Sequence, residues 1–333
     1  YMHLYINGLY WGMYNPVERI DGQFAANYFG GTKDDYDVLN AGDLGREGVS
    51  VVSGSLDAWN TMVDLARQVS RARTQADKTV AYLNLQGRDA NGQRDPELPV
   101  YLDIENYIDY LITNIYARND DWPIRNYYML RRRGPDSTGY KFLVWDAEFT
   151  LDRGDRSSLT SISPDGPGIL YHQLQSSEAF RVDFSDRVEQ HFSPGGAYYV
   201  NPDQREWDPE RPQDNVPAAR YVQLADQIAS PLVPETARCG DEQALQGTWF
   251  TRDNQWLTTL NYNLRAFFPN RSRALLDDLR QLEFYRDAPR LSRPEGRVEP
   301  GQTVEIEASN GRIYYTLDGS DPRQPDGSIA PTA

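Results

Sequence analysis

Asp121 and Asn126 stand five residues apart just past a long apolar run, and Asp146 follows behind two stretches rich in β-forming residues. Two carboxylates and an amide in that order suit phosphoryl transfer. One Asp can accept the proton of an attacking hydroxyl, while the Asn and the second Asp hold a divalent cation against phosphate oxygens whose developing charge must be offset. An Asp helix cap followed by an Asn turn explains the same spacing without any chemistry. Asp120 directly precedes Asp121 and could take its role; in one pocket the two would oppose each other's ionisation, and the five-residue spacing favours Asp121. Glu148, two residues past Asp146, would share its strand face and could add a carboxylate near the metal, although an exposed Glu is the simpler expectation. Arg125 could pair with a phosphate or with Asp120.

Three such groups need a helix end and two strand ends to fix them. Ile104, Tyr107, Ile108, Leu111, Ile112 and Ile115 recur at helical spacing and predict a helix over 104–117, which ends in the loop ARNDDWPIRN. The segments NYYMLRRR and YKFLVWDAEF, separated by Gly134-Pro135-Asp136 and Gly139, predict a β-ribbon whose second strand carries Asp146 and Glu148. Upstream, Asn7-Gly8 between two aromatic and β-branched runs predicts a hairpin with a type I′ turn over residues 1–14. A short helix is expected from Asp21 to Gly30-Gly31, then a polar, Gly-rich loop over 32–54. A helix capped by Ser55 follows over 56–73, with Trp59, Met62, Val63 and Leu65 on its apolar stripe. Residues 170–285 alternate helical stretches, including 217–229 and 254–283, with Pro-rich loops. A Pro- and Gly-punctuated linker spans 286–301, and TVEIEAS and GRIYYTL then read as strands.

Composition narrows the chemistry further. With 34 Lys and Arg against 49 Asp and Glu, the net charge of −15 leaves no basic face for nucleic acid. No apolar run reaches the roughly 18 to 20 residues of a membrane-spanning helix. One cysteine, Cys239, and three histidines exclude a disulfide within the chain and argue against a Cys- or His-rich metal centre, so a bound metal should be a hard cation held by oxygen. The chain has no G-x-S-x-G elbow, no H-E-x-x-H, no G-x-G-x-x-G and no G-x-x-x-x-G-K-[ST]. Residues 89–95 (DANGQRD) lack the final Glu of a calcium loop and read as a polar turn.

Several pieces, in order, resemble the CotH family of spore-coat-protein-H-like atypical kinases: INGLYWGMYNPVERID, YLDIENYIDYLITNIYARNDDWPIRNYY, YKFLVWDAEFTLD, and PETARCGD with the downstream FFPNRSRALLDDLRQL. The resemblance implies an α+β fold, a protein-kinase-like C-lobe of helices and β-hairpins over residues 1–285, lacking most of the N-lobe. By the same resemblance Asp121 is the catalytic-loop carboxylate, Asn126 and Asp146 are the metal ligands, and Glu18 faces the base or ribose of the nucleotide, although Glu18 and Arg19 could equally form a surface ion pair. ATP with Mg²⁺ or Mn²⁺ is the implied cofactor set, and Ser or Thr hydroxyls of surface or secreted proteins are the implied acceptors. A kinase also needs a strand lysine on the α- and β-phosphates, placed ahead of the hairpin. Lys33, Lys78 and Lys141 are the only lysines. Lys33 falls in a loop, Lys78 in a polar stretch, and Lys141 is expected to point to solvent. The chain therefore reads as a piece of a longer protein, with weak nucleotide binding expected of this piece alone.

Residues 300–333, with IYYTLDGSDPR, are similar to the small β-sandwich module at the C-terminus of chitobiase and β-hexosaminidase enzymes, here cut short. That similarity implies an extracellular or cell-surface setting and a glycan as a further partner, which exposed tyrosines could stack on, although at strand spacing Tyr314 and Tyr315 more often serve core or cross-strand packing. The expected organisation is a kinase-like domain over 1–285, a linker over 286–301 and an incomplete β module over 302–333. A catalytically silent, kinase-like adhesion protein is the alternative.

Overall fold

Asn7 and Gly8 both take positive φ, 52° and 81°, as a type I′ turn demands, and they join β1 (Met2–Ile6) to β2 (Leu9–Tyr14) with Ile6 opposite Leu9. The computed structural model describes all residues except 43–47, 152–158, 242–248, 294–295, 310 and 325–326. Asp21 caps α1 (Gly22–Phe29), its carboxylate accepting from the N–H groups of Gln23 and Phe24, and Gly30 at φ 79° ends the helix.

The expected loop over 32–54 is instead the heart of a sheet. A 3₁₀ turn (Lys33–Asp35) leads into β3 (Tyr36–Ala41), which pairs with β4 (Val49–Ser53) on one side and β5 (Tyr127–Arg132) on the other; β6 (Lys141–Val144) completes the antiparallel order β4-β3-β5-β6. Polar residues made this stretch look like a loop, yet the interior satisfies them. Asp37 is only 1% exposed, accepts from the Ser55 N–H at 3.0 Å and lies 3.6 Å from Arg133. One sheet face, with Tyr36, Val38 and Leu130, packs on Ala25 of α1. The opposite face, with Leu39, Met129 and Phe142, joins the main core.

That core is helical. In α2 (Asp57–Arg71) Trp59, Met62, Val63, Ala66 and Val69 are buried, while Leu65 is only half-buried; Ser55 accepts from the Asp57 N–H at 3.3 Å. The polar stretch around Lys78 folds as α3 (Gln75–Leu85), started by Thr74, whose hydroxyl accepts from the Asp77 N–H. The helix expected over 104–117 is α4 (Ile104–Ala117), capped by Asp103. Then come α5 (Gly168–Leu174), α6 (Glu178–Phe192), α7 (Val216–Ala229), α8 (Leu232–Cys239), α9 (Leu257–Tyr262) and α10 (Phe268–Gln281), with π turns on either side of α9. Helix α8 carries the PETARC segment against the hairpin: Glu235 accepts from the Met13 N–H, and Arg238 Nε donates to the Tyr10 carbonyl at 3.2 Å.

Helix α4 is gripped from two sides. On α6, Arg187 Nε and His191 Nε2 reach Asp109 at 2.7 and 2.8 Å. Burial opposes ionisation of Asp109, yet the hydrogen bonds from His191 and Arg187 outweigh it and hold the carboxyl below its usual value. A depressed carboxyl contributes stability that is complete above the unfolded-state pKa and lost as pH falls through the native one. Asp109→Asn should therefore lower unfolding free energy at neutral pH by about 1 kcal/mol, a modest figure because the group is partly exposed, and flatten the acid limb of stability against pH in urea titrations. On α10, the buried Arg271 donates through Nε to the Tyr116 carbonyl at 2.9 Å and through its terminal nitrogen to that of Ile115. Burial, with Arg118 nearby, pulls its pKa down to about 10. The Tyr116 carbonyl of the last turn, and that of Ile115, which also accepts from the Arg118 N–H, thus receive a buried cation.

The C-terminal stretch departs from expectation. Among the described residues β7 (Arg290–Leu291) and β8 (Ile306–Glu307) are the strands that pair there, beside an isolated bridge between Arg323 and Ile329, and GRIYYTL forms no strand, with Tyr314 and Tyr315 exposed. Arg323 lies 3.6 Å from Asp186 of α6. Among the described residues no helix is long and apolar enough to cross a membrane.

Candidate active site

Antiparallel register brings four strand ends to one edge of the sheet. Ala41 faces Val49, Tyr127 faces Val144, and Asn40 faces Tyr128, so the end of β3, the start of β4, the start of β5 and the end of β6 coincide. Asn126 immediately precedes β5, and Asp146 lies just beyond β6. Both therefore spill over the same edge, and both adopt the left-handed backbone, with φ 59° and 46°. Asn and Asp tolerate that region better than other side chains, but two facing examples are unusual. Asn126 Nδ2 donates to the Asp146 carbonyl at 2.8 Å. Two of the expected metal ligands are thus in direct contact.

Asp121 enters from the end of α4. The helix stops at Arg118, φ 55°, and the chain doubles back as the Asn119 N–H donates to the Asn114 carbonyl at 3.1 Å. Asp120 then donates to the Phe149 carbonyl at 3.1 Å, and the Leu151 N–H to the Ala117 carbonyl at 2.7 Å, so the segment following Asp146 is stitched to the carboxylate loop. The Arg125 N–H closes a turn on the Asp121 carbonyl at 2.9 Å. Asp121 is half-buried, and among the described residues its carboxylate accepts no hydrogen bond. Gly166 and Gly168 press close behind the loop; a Cβ at either would fall 2.8 Å from an atom of Pro123.

The remaining candidates lie further out. Strand β6 ends at Val144, before the WDAEF segment, so Glu148 does not share a strand face with Asp146 and is exposed without a partner among the described residues. Arg125 is exposed and forms no ion pair with Asp120. Glu18 accepts from the Tyr28 hydroxyl on α1, and that bond, with the carboxylate's charge, pushes the Tyr28 phenol up. No hydrogen bond or ion pair among the described residues joins Glu18 to the Asn126–Asp146 pair. The two regions share a border, since Phe24 of α1 and Trp145 both flank the small core on this sheet face. Lys141 does not point to solvent: it pairs with Asp103, the cap of α4. Lys78 Nζ donates to the Ser176 carbonyl at 3.2 Å, and Lys33 is exposed in its 3₁₀ turn.

An amide oxygen and a carboxylate are hard donors of the kind Mg²⁺ and Mn²⁺ prefer. Among the described residues no group of three His, Cys, Asp or Glu could hold a metal. That donor set still fits a cation such as Mg²⁺, which takes one or two carboxylates and completes its shell with phosphate oxygens and water. Because Asn126 spends its Nδ2 on the Asp146 carbonyl, its Oδ1 is left available.

Sequence reasoning overlooked the polar centre beneath this loop. Tyr110, Asn114, Asn119 and Trp122 are all buried and hydrogen-bonded to one another. Asn114, a polar residue one position before the apolar Ile115, was the available signal.

No curated protein and no solved structure matches this chain. Residues 1–194, which include the hairpin, the sheet, the carboxylate loop and Asp146, match the family described as CotH kinase protein. With more than half of its 333 residues so matched, the chain belongs to the CotH kinase family.

Proposed function

We propose that this protein transfers the γ-phosphoryl group of ATP to Ser or Thr hydroxyls of a protein substrate, with Asp121 as proton acceptor, Asn126 and Asp146 as ligands of Mg²⁺ or Mn²⁺, and Glu18 toward the nucleotide. The observation that carries it is the hydrogen bond between Asn126 and Asp146 at the sheet edge beside the carboxylate loop. Bound there, the cation would offset charge on the phosphate oxygens. Asp121, whose carboxylate accepts no hydrogen bond among the described residues, has its lone pairs available for the acceptor hydroxyl's proton. As the acceptor oxygen bonds to phosphorus and the bridging oxygen leaves with ADP, that proton passes to the Asp121 carboxylate. Asn126 holds the Asp146 backbone, which sets the two proposed ligands side by side at the sheet edge.

The kinase-like domain is proposed to run to residue 285, past the matched segment, because Arg271 of α10 completes the end of the helix that carries the Asp121 loop. Residues 286–301 then act as a linker and 302–333 as a glycan-facing module of a surface or secreted protein, a role to which the exposed Tyr315 and Leu317, bordering a cavity of about 470 Å³, lend themselves. The silent-scaffold alternative draws on one observation: Lys141 and Lys78 are both engaged elsewhere, on Asp103 and Ser176. Incubating the natural full-length protein with γ-labelled ATP and Mg²⁺ separates the two. Acid-stable, alkali-labile label on Ser or Thr is expected; absence of transfer together with absence of a nucleotide-dependent thermal shift would establish the scaffold reading.

A further inference from the structure

The loop that carries Asp121 is anchored on both sides to one helix, by side chains whose role lies outside the chemistry assigned above. Before it, Asn119 is buried; its Nδ2 donates to Asn114 Oδ1 at 2.9 Å, and Asn114 in turn donates to the Tyr110 carbonyl at 2.8 Å. After it, Trp122 is buried and its Nε1 donates to the Tyr110 hydroxyl at 2.7 Å. The two rings meet edge to face, with centroids 5.7 Å apart. Trp122 thus ties the far side of the loop to the Tyr110 hydroxyl directly, Asn119 ties the near side to Asn114, which in turn donates to the Tyr110 carbonyl, and only Asp120 and Asp121 lie between the anchors.

Three features mark this as more than core packing. Among the described residues Asn119 Oδ1 is buried without a hydrogen-bond partner, an unfavourable state that an apolar residue would avoid, so the amide is present for what its other end holds. The backbone N–H of Asp120 and the carbonyl of Asp121 are both engaged, while the Asp121 carboxylate accepts nothing among the described residues. A side chain that no hydrogen bond orients takes its direction from the backbone beneath it, and that backbone, bonded to Phe149 and Arg125, is flanked by the Asn119 anchor and by the Trp122 anchor on Tyr110. Resting on the reading of Asp121 as proton acceptor, we propose that Tyr110, with Trp122 and the Asn114–Asn119 amide pair, is a positioning brace that sets where the Asp121 carboxylate points.

Tyr110→Phe removes the hydroxyl and keeps the ring; Trp122→Phe removes the indole N–H. In the full-length protein each should lower kcat for phosphate transfer about tenfold or more while KM for ATP stays within about twofold, since a misaimed acceptor group alters the transition state and leaves nucleotide contacts intact. The double variant should be no slower than the worse single one, because both remove the same bond. Tyr82→Phe serves as control. It deletes an equally buried hydroxyl contact, to Asp183 at 2.6 Å between α3 and α6, and should leave kcat unchanged. Unchanged kcat in folded Tyr110→Phe, or losses that multiply in the double variant, would overturn the brace. Amide hydrogen exchange gives a readout independent of turnover: the Asp120 N–H, bonded to the Phe149 carbonyl, should exchange about tenfold faster in Tyr110→Phe and not in Tyr82→Phe. If the wild type transfers no phosphate, the kinase reading falls by itself, and equal exchange in all three proteins would dismiss the brace separately.

Discussion

Asp146→Asn should reduce phosphate transfer from ATP by about a thousandfold, the scale expected when one charged stabiliser of a phosphoryl transition state is removed. The substitution is close to isosteric, and Asn126 contacts the backbone carbonyl at 146, not the side chain, so the 2.8 Å hydrogen bond survives. What disappears is a negative charge that a divalent cation requires. A melting temperature close to the wild-type value together with lost transfer would assign the effect to that charge. Asp121→Asn, which keeps shape but cannot take up a proton, should cost about two to four orders of magnitude in kcat while retaining Mg²⁺-dependent nucleotide binding. Asp120→Asn should change little, since Asp120 is exposed and enters the loop's bonding through its backbone N–H. The reverse order of effects would transfer the role to Asp120.

Arg271→Ala is expected to destabilise the protein by about 3 kcal/mol, because two charge-assisted hydrogen bonds to buried carbonyls are lost together and a cavity is left in their place. Thermal unfolding should fall by roughly 5 to 10 °C. Arg271→Lys retains the charge but replaces a planar fork with a single ammonium that cannot reach the Ile115 and Tyr116 carbonyls in the same way, so an intermediate loss is expected. Arg271 lies outside the matched residues 1–194, and the size of its effect therefore measures how far the helices of 195–285 belong to the same cooperative unit. An unfolding midpoint unchanged in Arg271→Ala would indicate that α4 keeps its end without α10.

Some of this architecture could be read from residue pattern alone. The apolar spacing of Ile104 to Ile115 located α4, and Asn7-Gly8 located the hairpin, because each signal depends only on neighbours in sequence. Strand β3 escaped notice because Asp37 breaks its apolar run, and its burial depends on Ser55 and Arg133, which are distant in sequence. The extension of β6 through Asp146 failed for a related reason. A left-handed residue at 146 ends the pairing, and the hydrogen bond from Asn126 accompanies that turn. Asp121, Asn126 and Asp146 were nameable by type and order, but the contact between Asn126 and Asp146 was not, since it arises from the register of β5 on β6. The Tyr110 brace was hidden similarly: a Tyr beside the apolar stripe of α4 carries no sign of a role until Trp122 is seen to donate to its hydroxyl.

Anomalous diffraction from crystals of the full-length protein grown with Mn²⁺ and a non-hydrolysable ATP analogue tests the central claim most directly. A manganese peak between Asn126 Oδ1 and the Asp146 carboxylate, touching the analogue's phosphates with Asp121 facing the γ-phosphate, is the predicted result. Manganese and nucleotide bound at any place that leaves Asn126 and Asp146 without a ligand would contradict it.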